Sequence, residues 1–331
     1  MKLIRILSLN LFMIFVLLLS TAATADDYSD KKAVKLFINE MVKKHKFNKQ
    51  YLEKLFSRAK MYDSILEAIA RPAESKPWYE YRPIFVTKKR AQGGVDFWEK
   101  NAKALARAEK QYGVPQEIIV AIIGVETRYG KHAGSYPVFD SLATLAFGYP
   151  PRAKFFKSEL EQFLLMTREE NFSAEELVGS YAGAMGMPQF ISSSFRRYAV
   201  DFDGDGKRDL WTNPTDAIGS VANYFRKHRW KPGQPVTHKV QVHGNRHESL
   251  ITKSLKPSHT QLELLVNGVI LPSKLEKDLK GKLLKLKTPK TPEYWVAWNN
   301  FYVITRYNHS ALYSMAVYQL SQKIKQGYLK R

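Results

Sequence analysis

The chain has 331 residues, with 52 Lys or Arg against 31 Asp or Glu and a formal net charge of +21. Hydrophobic residues make up 44% and charged residues 25%, a globular balance that excludes wholesale disorder and allows one large domain or a few subdomains. There is no cysteine, which excludes disulfides, thiolate metal sites, a Cys nucleophile and a Cys-linked lipid anchor.

Lys2 and Arg5, an apolar run from Leu11 to Leu19 and the small residues Ala23-Thr24-Ala25 before Asp26 read as a secretory signal cleaved after Ala25. The alternative is an uncleaved anchor, against which Ser8 and Asn10 interrupt the run. Cleavage removes Lys2 and Arg5 and leaves +19, so the exported chain seeks an acidic partner. Export, and the spread of Lys and Arg along the chain without a zinc-finger, RNP or basic-zipper pattern, argue against nucleic acid.

Residues 31–70 predict two helices, from Val34, Phe37, Ile38 and Val42 and then Leu52, Leu55 and Phe56. Three prolines between Arg71 and Pro83 predict an extended connector, and Val95 to Tyr112 one amphipathic helix ended by Gly113. Val236 to Val242 alternates like a strand, and Leu279 to Lys287 reads as another, within a small β-rich insertion spanning Pro232 to Thr291. Tyr294 to Lys323 returns to helix. The predicted divisions are 26–95 (N-terminal helical domain), 96–231 (main core, carrying the acidic loop 201–216), 232–291 (β-rich insertion) and 292–331 (helices completing the core).

The segment Gly113 to Gly130 is the most informative. Pro115 suits the first helical position, Glu117 the positive N-terminus and Gly130 a C-terminal cap. Ile118 to Ile123 and Val125 are apolar on every face, which predicts a helix buried all round. Glu126 is its only carboxylate after the first turn, and desolvation there raises a carboxyl pKa. A carboxylic acid protonated near neutrality can donate to a leaving oxygen. The alternative is a surface Glu paired with Arg128 or Arg107. Gly179 to Phe190 carries glycines and alanines that leave backbone open to a ligand, or else make a tight helix–helix contact. Ser180, Gln189 and Phe190 offer hydrogen bonds and a stacking face. Ile304 to Ser310 sets Tyr307 beside Asn308 and His309, more simply a helix-start cluster.

Asp201, Asp203, Asp205 and Asp209 stand at positions 1, 3, 5 and 9 of an EF-hand-like spacing, with Gly206 at position 6. Position 12 is Thr212 rather than Glu, so a longer loop would recruit Asp216. Asn213-Pro214-Thr215-Asp216 also reads as a helix start, with Asn213 as cap. The reading is a structural Ca²⁺, with position 7, Lys207, contributing its carbonyl.

The stretches GVETRYG (124–130), SLATLAF (141–147), GSYAGAMGMPQF (179–190), YAVDFDGDG (198–206), DAIGSVANYF (216–225) and NFYVITRYNHS (300–310) together resemble the lytic murein transglycosylase B family, glycoside hydrolase family 103. The resemblance runs from about Trp78 to the C-terminus. It implies a mainly α (α+β) fold: a lysozyme-like helical core, a further helical domain and a small β-rich part. It also implies cleavage of the β-1,4 bond between N-acetylmuramic acid and N-acetylglucosamine in peptidoglycan without water, leaving a 1,6-anhydromuramoyl end. Glu126 then matches the single acid/base. Ser180, Gln189, Phe190, Tyr224, Tyr307, Asn308 and Tyr313 match groove residues, Tyr81 and Arg152 the rim, and Asp201, Asp203, Asp205, Lys207 and Asp216 the calcium loop. Pro151 stands where the family often has a second Arg, and the lipobox cysteine is absent, so the expected location is the periplasm without a lipid anchor. Expected partners are glycan strands and cell-wall synthesis or remodelling proteins, with a monomeric chain and no organic cofactor. Two competing readings are a water-using muramidase and a non-catalytic, calcium-stabilised peptidoglycan-binding protein.

Overall fold

The computed structural model describes residues 31–70, 76–276 and 278–331. The signal sequence read at residues 1–25 lies outside them. The expected mainly α class with a small β-rich part is what the chain forms.

Three helices, α1 (Lys32–His45), α2 (Lys49–Arg58) and α3 (Asp63–Ala70), stand where the spacing predicts two. Asn48 starts α2 by accepting the Tyr51 amide, and Ala59 ends it in extended backbone. The apolar stripe Val34, Phe37, Ile38 and Met41 of α1 is buried.

The expected connector is instead partly a helix, α4 (Trp78–Phe85), with Pro77 as its N-cap. Trp78 and Tyr81 bury their rings against Leu284, Leu286, Met315 and Ala316. Burial of two aromatics outweighs the hydrogen bond lost at Pro83 in the last turn. The single helix predicted over 95–112 is two, α5 (Lys88–Lys100) and α6 (Ala102–Tyr112). They part at Asn101, whose side-chain amide donates back to the Phe97 carbonyl at 2.8 Å.

Helix α7 (Gln116–Thr127) runs through the main core and is buried on nearly every face. Pro115 is its N-cap rather than its first helical residue. The left-handed C-cap is Arg128 rather than Gly130; Arg128, Tyr129 and Gly130 are all left-handed, at φ 51°, 64° and 84°. Glu117 in the first turn is engaged by Lys325 at 2.9 Å.

Helices α8 (Val138–Gly148) and α9 (Ala153–Glu169) pack together, followed by α10 (Ser192–Tyr198) and α11 (Pro214–Lys227). Two short strands, β1 (Tyr136–Pro137) and β2 (Val178–Gly179), pair antiparallel. A second, antiparallel sheet has the order β4-β3-β6-β5, formed by β3 (Thr237–Val242), β4 (Val269–Ile270), β5 (Lys282–Leu286) and β6 (Glu293–Ala297). Helix α12 (Gln261–Val266) opens with a capping box between Thr260 and Glu263. The sequence pattern assigns β6 to helix, but its residues pair with both β3 and β5. The chain turns helical only at α13 (Asn299–Tyr307), followed by α14 (Ala311–Tyr328), which packs on α7 and α5.

Candidate active site

Glu126 lies in the last turn of α7, above Ile122 and Ile123, which are fully buried. It is half-buried itself, and burial pushes its carboxyl up to about 7. The opposing influence is a hydrogen bond from the Tyr313 hydroxyl to Oε1 at 2.5 Å. Neither influence is a second carboxylate or an arginine. The alternative pairing with Arg107 is absent: that guanidinium donates to the Phe202 carbonyl and lies 3.9 Å over the Phe202 ring.

Tyr313 sits in the first turn of α14, where Ser310 caps the helix by accepting the Tyr313 amide. Tyr307 ends α13, and its hydroxyl donates to the Pro188 carbonyl at 2.5 Å. Burial first and then the Glu126 charge hold both phenols well above the usual tyrosine range, which places both rings beside the acid. Tyr224 on α11 donates to the Arg306 carbonyl at 2.6 Å and packs 4.8 Å from Tyr307. Phe190 packs against both, at 5.8 and 5.9 Å. Tyr81 is buried on α4 and close enough to Tyr313 for its charge to raise that phenol.

The segment Gly179–Phe190 is a folded loop rather than a helix contact. Gly179, Met185 and Phe190 are linked by isolated bridges, and the Ser180 hydroxyl accepts the amides of Ala182 and Ala184. Its glycines serve the loop's own packing. A Cβ on Gly186 (φ 68°) would lie 2.5 Å from the Leu210 carbonyl oxygen, and one on Gly183 would strike Leu142. The side-chain amide of Gln189 donates to the Ala133 and Gly186 carbonyls, each at 3.0 Å. Thr127, which sequence reasoning passed over, ties the loop to the acid: its hydroxyl donates to the Met187 carbonyl at 2.8 Å and accepts the Gly130 amide. A polar residue directly after the glutamate, on an otherwise apolar helix, was the available signal.

Asn308 is exposed between α13 and α14. Arg152 is exposed with its guanidinium 4.4 Å over the Phe155 ring, and no contact among the described residues joins it to the Glu126 cluster.

In the acidic loop, Asp201, Asp203 and Asp205 each bring an oxygen to within 4.8 Å of the others. Gly204 and Gly206 allow the tight turn at φ 85° and 87°. Asp216 is not in this group: its two oxygens accept the amides of Phe202 and Asp209, at 2.7 and 2.8 Å. Asp209 accepts the amides of Trp211 and Thr212. Asn213 caps α11 as its sequence suggests, accepting the Thr215 amide at 2.9 Å. Lys207 is exposed and its amide donates to Asp205. Three clustered carboxylates with a tight loop suit a hard cation.

A carboxylic acid held near neutrality beside buried tyrosines, on a helical scaffold, suits a class of enzyme that moves a proton. Residues 29–322 match the model of the transglycosylase SLT domain, and the chain belongs to that family. It is 44% identical over 308 residues to membrane-bound lytic murein transglycosylase B of Escherichia coli, covering 90% of this chain and 84% of that one. The crystal structure of soluble lytic transglycosylase SltB1 from Pseudomonas aeruginosa superposes with a TM-score of 0.86 at 52% identity, covering 89% of this chain and 99% of that one. That of the Escherichia coli lytic transglycosylase Slt35 in complex with calcium does so at 0.85 and 43%, covering 92% and 96%. The fold is therefore the lysozyme-like one expected, and the chain is a lytic transglycosylase that cleaves peptidoglycan. No helix among the described residues is long and apolar enough to cross a membrane.

Proposed function

We propose that Glu126 alone serves as acid and then base in a cleavage that uses no water. The carrying observation is its place at the end of a buried helix, above Ile122 and Ile123 and with the Tyr313 hydroxyl on Oε1, where burial raises its pKa to about 7 and no carboxylate acts on it. Protonated Glu126 gives its proton to the glycosidic oxygen between N-acetylmuramic acid and N-acetylglucosamine as the C1–O bond breaks. The resulting carboxylate takes the proton of the muramoyl C6 hydroxyl, whose oxygen bonds to C1 and closes the 1,6-anhydro ring. The hydroxyl belongs to the same sugar, so proximity replaces an activated water and the second carboxylate of a hydrolase. Tyr313 positions Glu126 through its hydrogen bond. Ser180, Gln189, Phe190, Tyr224, Tyr307 and Asn308 line the groove in this reading, with Tyr81 and Arg152 toward its rim.

Asp201, Asp203 and Asp205, with the Lys207 carbonyl, would hold Ca²⁺, whose charge offsets their mutual repulsion. The calcium in the Slt35 complex supports this. Asp216 braces the loop by accepting the amides of Phe202 and Asp209, and the remaining lone pairs of its carboxylate complete the ligand set in this reading. The β-rich part is a small unit packed on the helical divisions through a shared core, with β6 added to it. Residues 1–25 export the chain to the periplasm and are cut after Ala25. There it acts as a monomer, alongside cell-wall synthesis or remodelling proteins.

Mass spectrometry of products from purified peptidoglycan is the test. Products one water lighter than reducing-end muropeptides are expected. Reducing-end products would make the chain a muramidase, and no products a binding protein.

A further inference from the structure

The geometry points to a second, preformed site: a cationic pocket lined by Lys89, Arg90, Arg128, Lys131 and His132, that receives a carboxylate of the peptide stem. The cavity measures about 450 Å³, and no acidic side chain lines it. This rests on the reading that the chain acts on peptidoglycan, whose stems carry carboxylates.

Arg90 carries the argument. It is 9% exposed, and its Nη1 is buried without a hydrogen-bond partner. A buried guanidinium nitrogen left unpaired costs free energy unless an acceptor arrives. None of Lys89, Arg90, Arg128 and Lys131 has a salt bridge among the described residues. Arg90 also stands in the first turn of α5, beside Lys88 and Lys89 and without an acid. Cations there oppose the helix dipole, whereas an anion is favoured. Burial first, and the Arg128 charge second, lower the Arg90 pKa, as expected of cations gathered without a counter-ion.

The pocket is rigidly built. The Tyr129 hydroxyl donates to the Arg90 carbonyl at 2.7 Å. Gly93, Gly94 and Gly124 leave room for the Tyr129 side chain, since a Cβ on any of them would come within 2.9 Å of its ring or hydroxyl. Asp96, whose charge is felt at Tyr129, is itself engaged by Gln92 and Arg331. Arg128 and Tyr129 hold left-handed backbone, a cost that persists only where the surroundings impose it.

The position suits a substrate already in the groove. Arg128 follows Glu126 by two residues, and Ile84 of the pocket wall lies one turn along α4 from Tyr81, which neighbours Tyr313.

The test uses the full chain carrying Glu126→Gln, so that binding is read without turnover. Calorimetry compares a synthetic stem peptide with free terminal and side-chain carboxylates, the same peptide fully amidated, and inorganic phosphate. The free acid is expected to bind about tenfold tighter than the amide, the size of one charge-assisted contact. Arg128→Gln and Lys131→Gln, both at exposed positions, should remove that difference. In the active chain, the same changes should lower the ratio of kcat/KM on stem-bearing to stem-free strands by a similar factor. Equal binding of acid and amide, or discrimination that survives both variants, overturns the proposal. Phosphate binding that is lost in the variants while the peptides bind alike reassigns the pocket to phosphate and overturns it too. If the peptides discriminate but the active chain yields no products, the proposed reaction fails while the pocket stands.

Discussion

Two acidic regions of this molecule use carboxylates in opposite ways. Glu126 sits against fully buried isoleucines, and burial lifts its pKa to about 7. Asp201 meets loop amides, those of Gly204, Asp205 and Gly206, which hold its carboxyl below the usual range. Surroundings rather than residue type decide whether a carboxyl keeps its proton. The first can give a proton away; the second stays charged and suits a cation.

The sharpest break of this contrast is Glu126→Gln. Turnover should fall by about 10³-fold, within the usual range for losing an acid/base group, with helix content in circular dichroism unchanged. Residual activity within tenfold of the parent would remove Glu126 from the chemistry.

Next in size is Tyr313→Phe. The hydroxyl favours the Glu126 anion, so its loss should raise the Glu126 pKa. We expect the alkaline limb of kcat/KM, falling above about pH 7 in the parent, to move to higher pH, with a roughly tenfold lower kcat from lost positioning. A limb that stays in place or moves down would refute the assignment.

The same burial affects stability. Glu126 holds its proton more tightly folded than unfolded, so the folded chain binds more protons between about pH 4.5 and 7. Its contribution is therefore lost as pH rises through that window. Glu126→Gln should melt higher than the parent at pH 8, by a few degrees, and the gap should close below about pH 4.5. A gap independent of pH would contradict this.

The loop gives the smallest effect. A chelator should lower the melting temperature by about 5 °C, and added Ca²⁺ should restore it, because a ligand bound only to the folded chain stabilises it. Asp203→Asn should blunt the response. A melting curve indifferent to chelator would deny the loop its cation.

Some of this was legible in local pattern. The all-round apolar helix and its late glutamate follow from the order of residues 116–127, because burial on every face requires such a run. The Asn213-Pro214 helix start and strands β3 and β5 followed from equally local rules. Helix α4 did not, since its prolines speak against it and only distant Leu284 and Met315 reward the buried rings. Strand β6 was missed because its pairing partners lie on β3 and β5, outside any short window. Spacing suggested Asp216 for the loop, but only the fold shows that its two oxygens accept the amides of Phe202 and Asp209.

By itself, then, the sequence determined the helical class, the family motifs and the buried helix that ends in Glu126, because these depend on neighbours within a turn or two. Only the tertiary structure decided that Tyr313, 187 residues away, meets Glu126, and that Arg90 and Arg128 share a pocket without a counter-ion. Proton affinity and unmatched charge are set by what surrounds a group in space, and chain order does not record that.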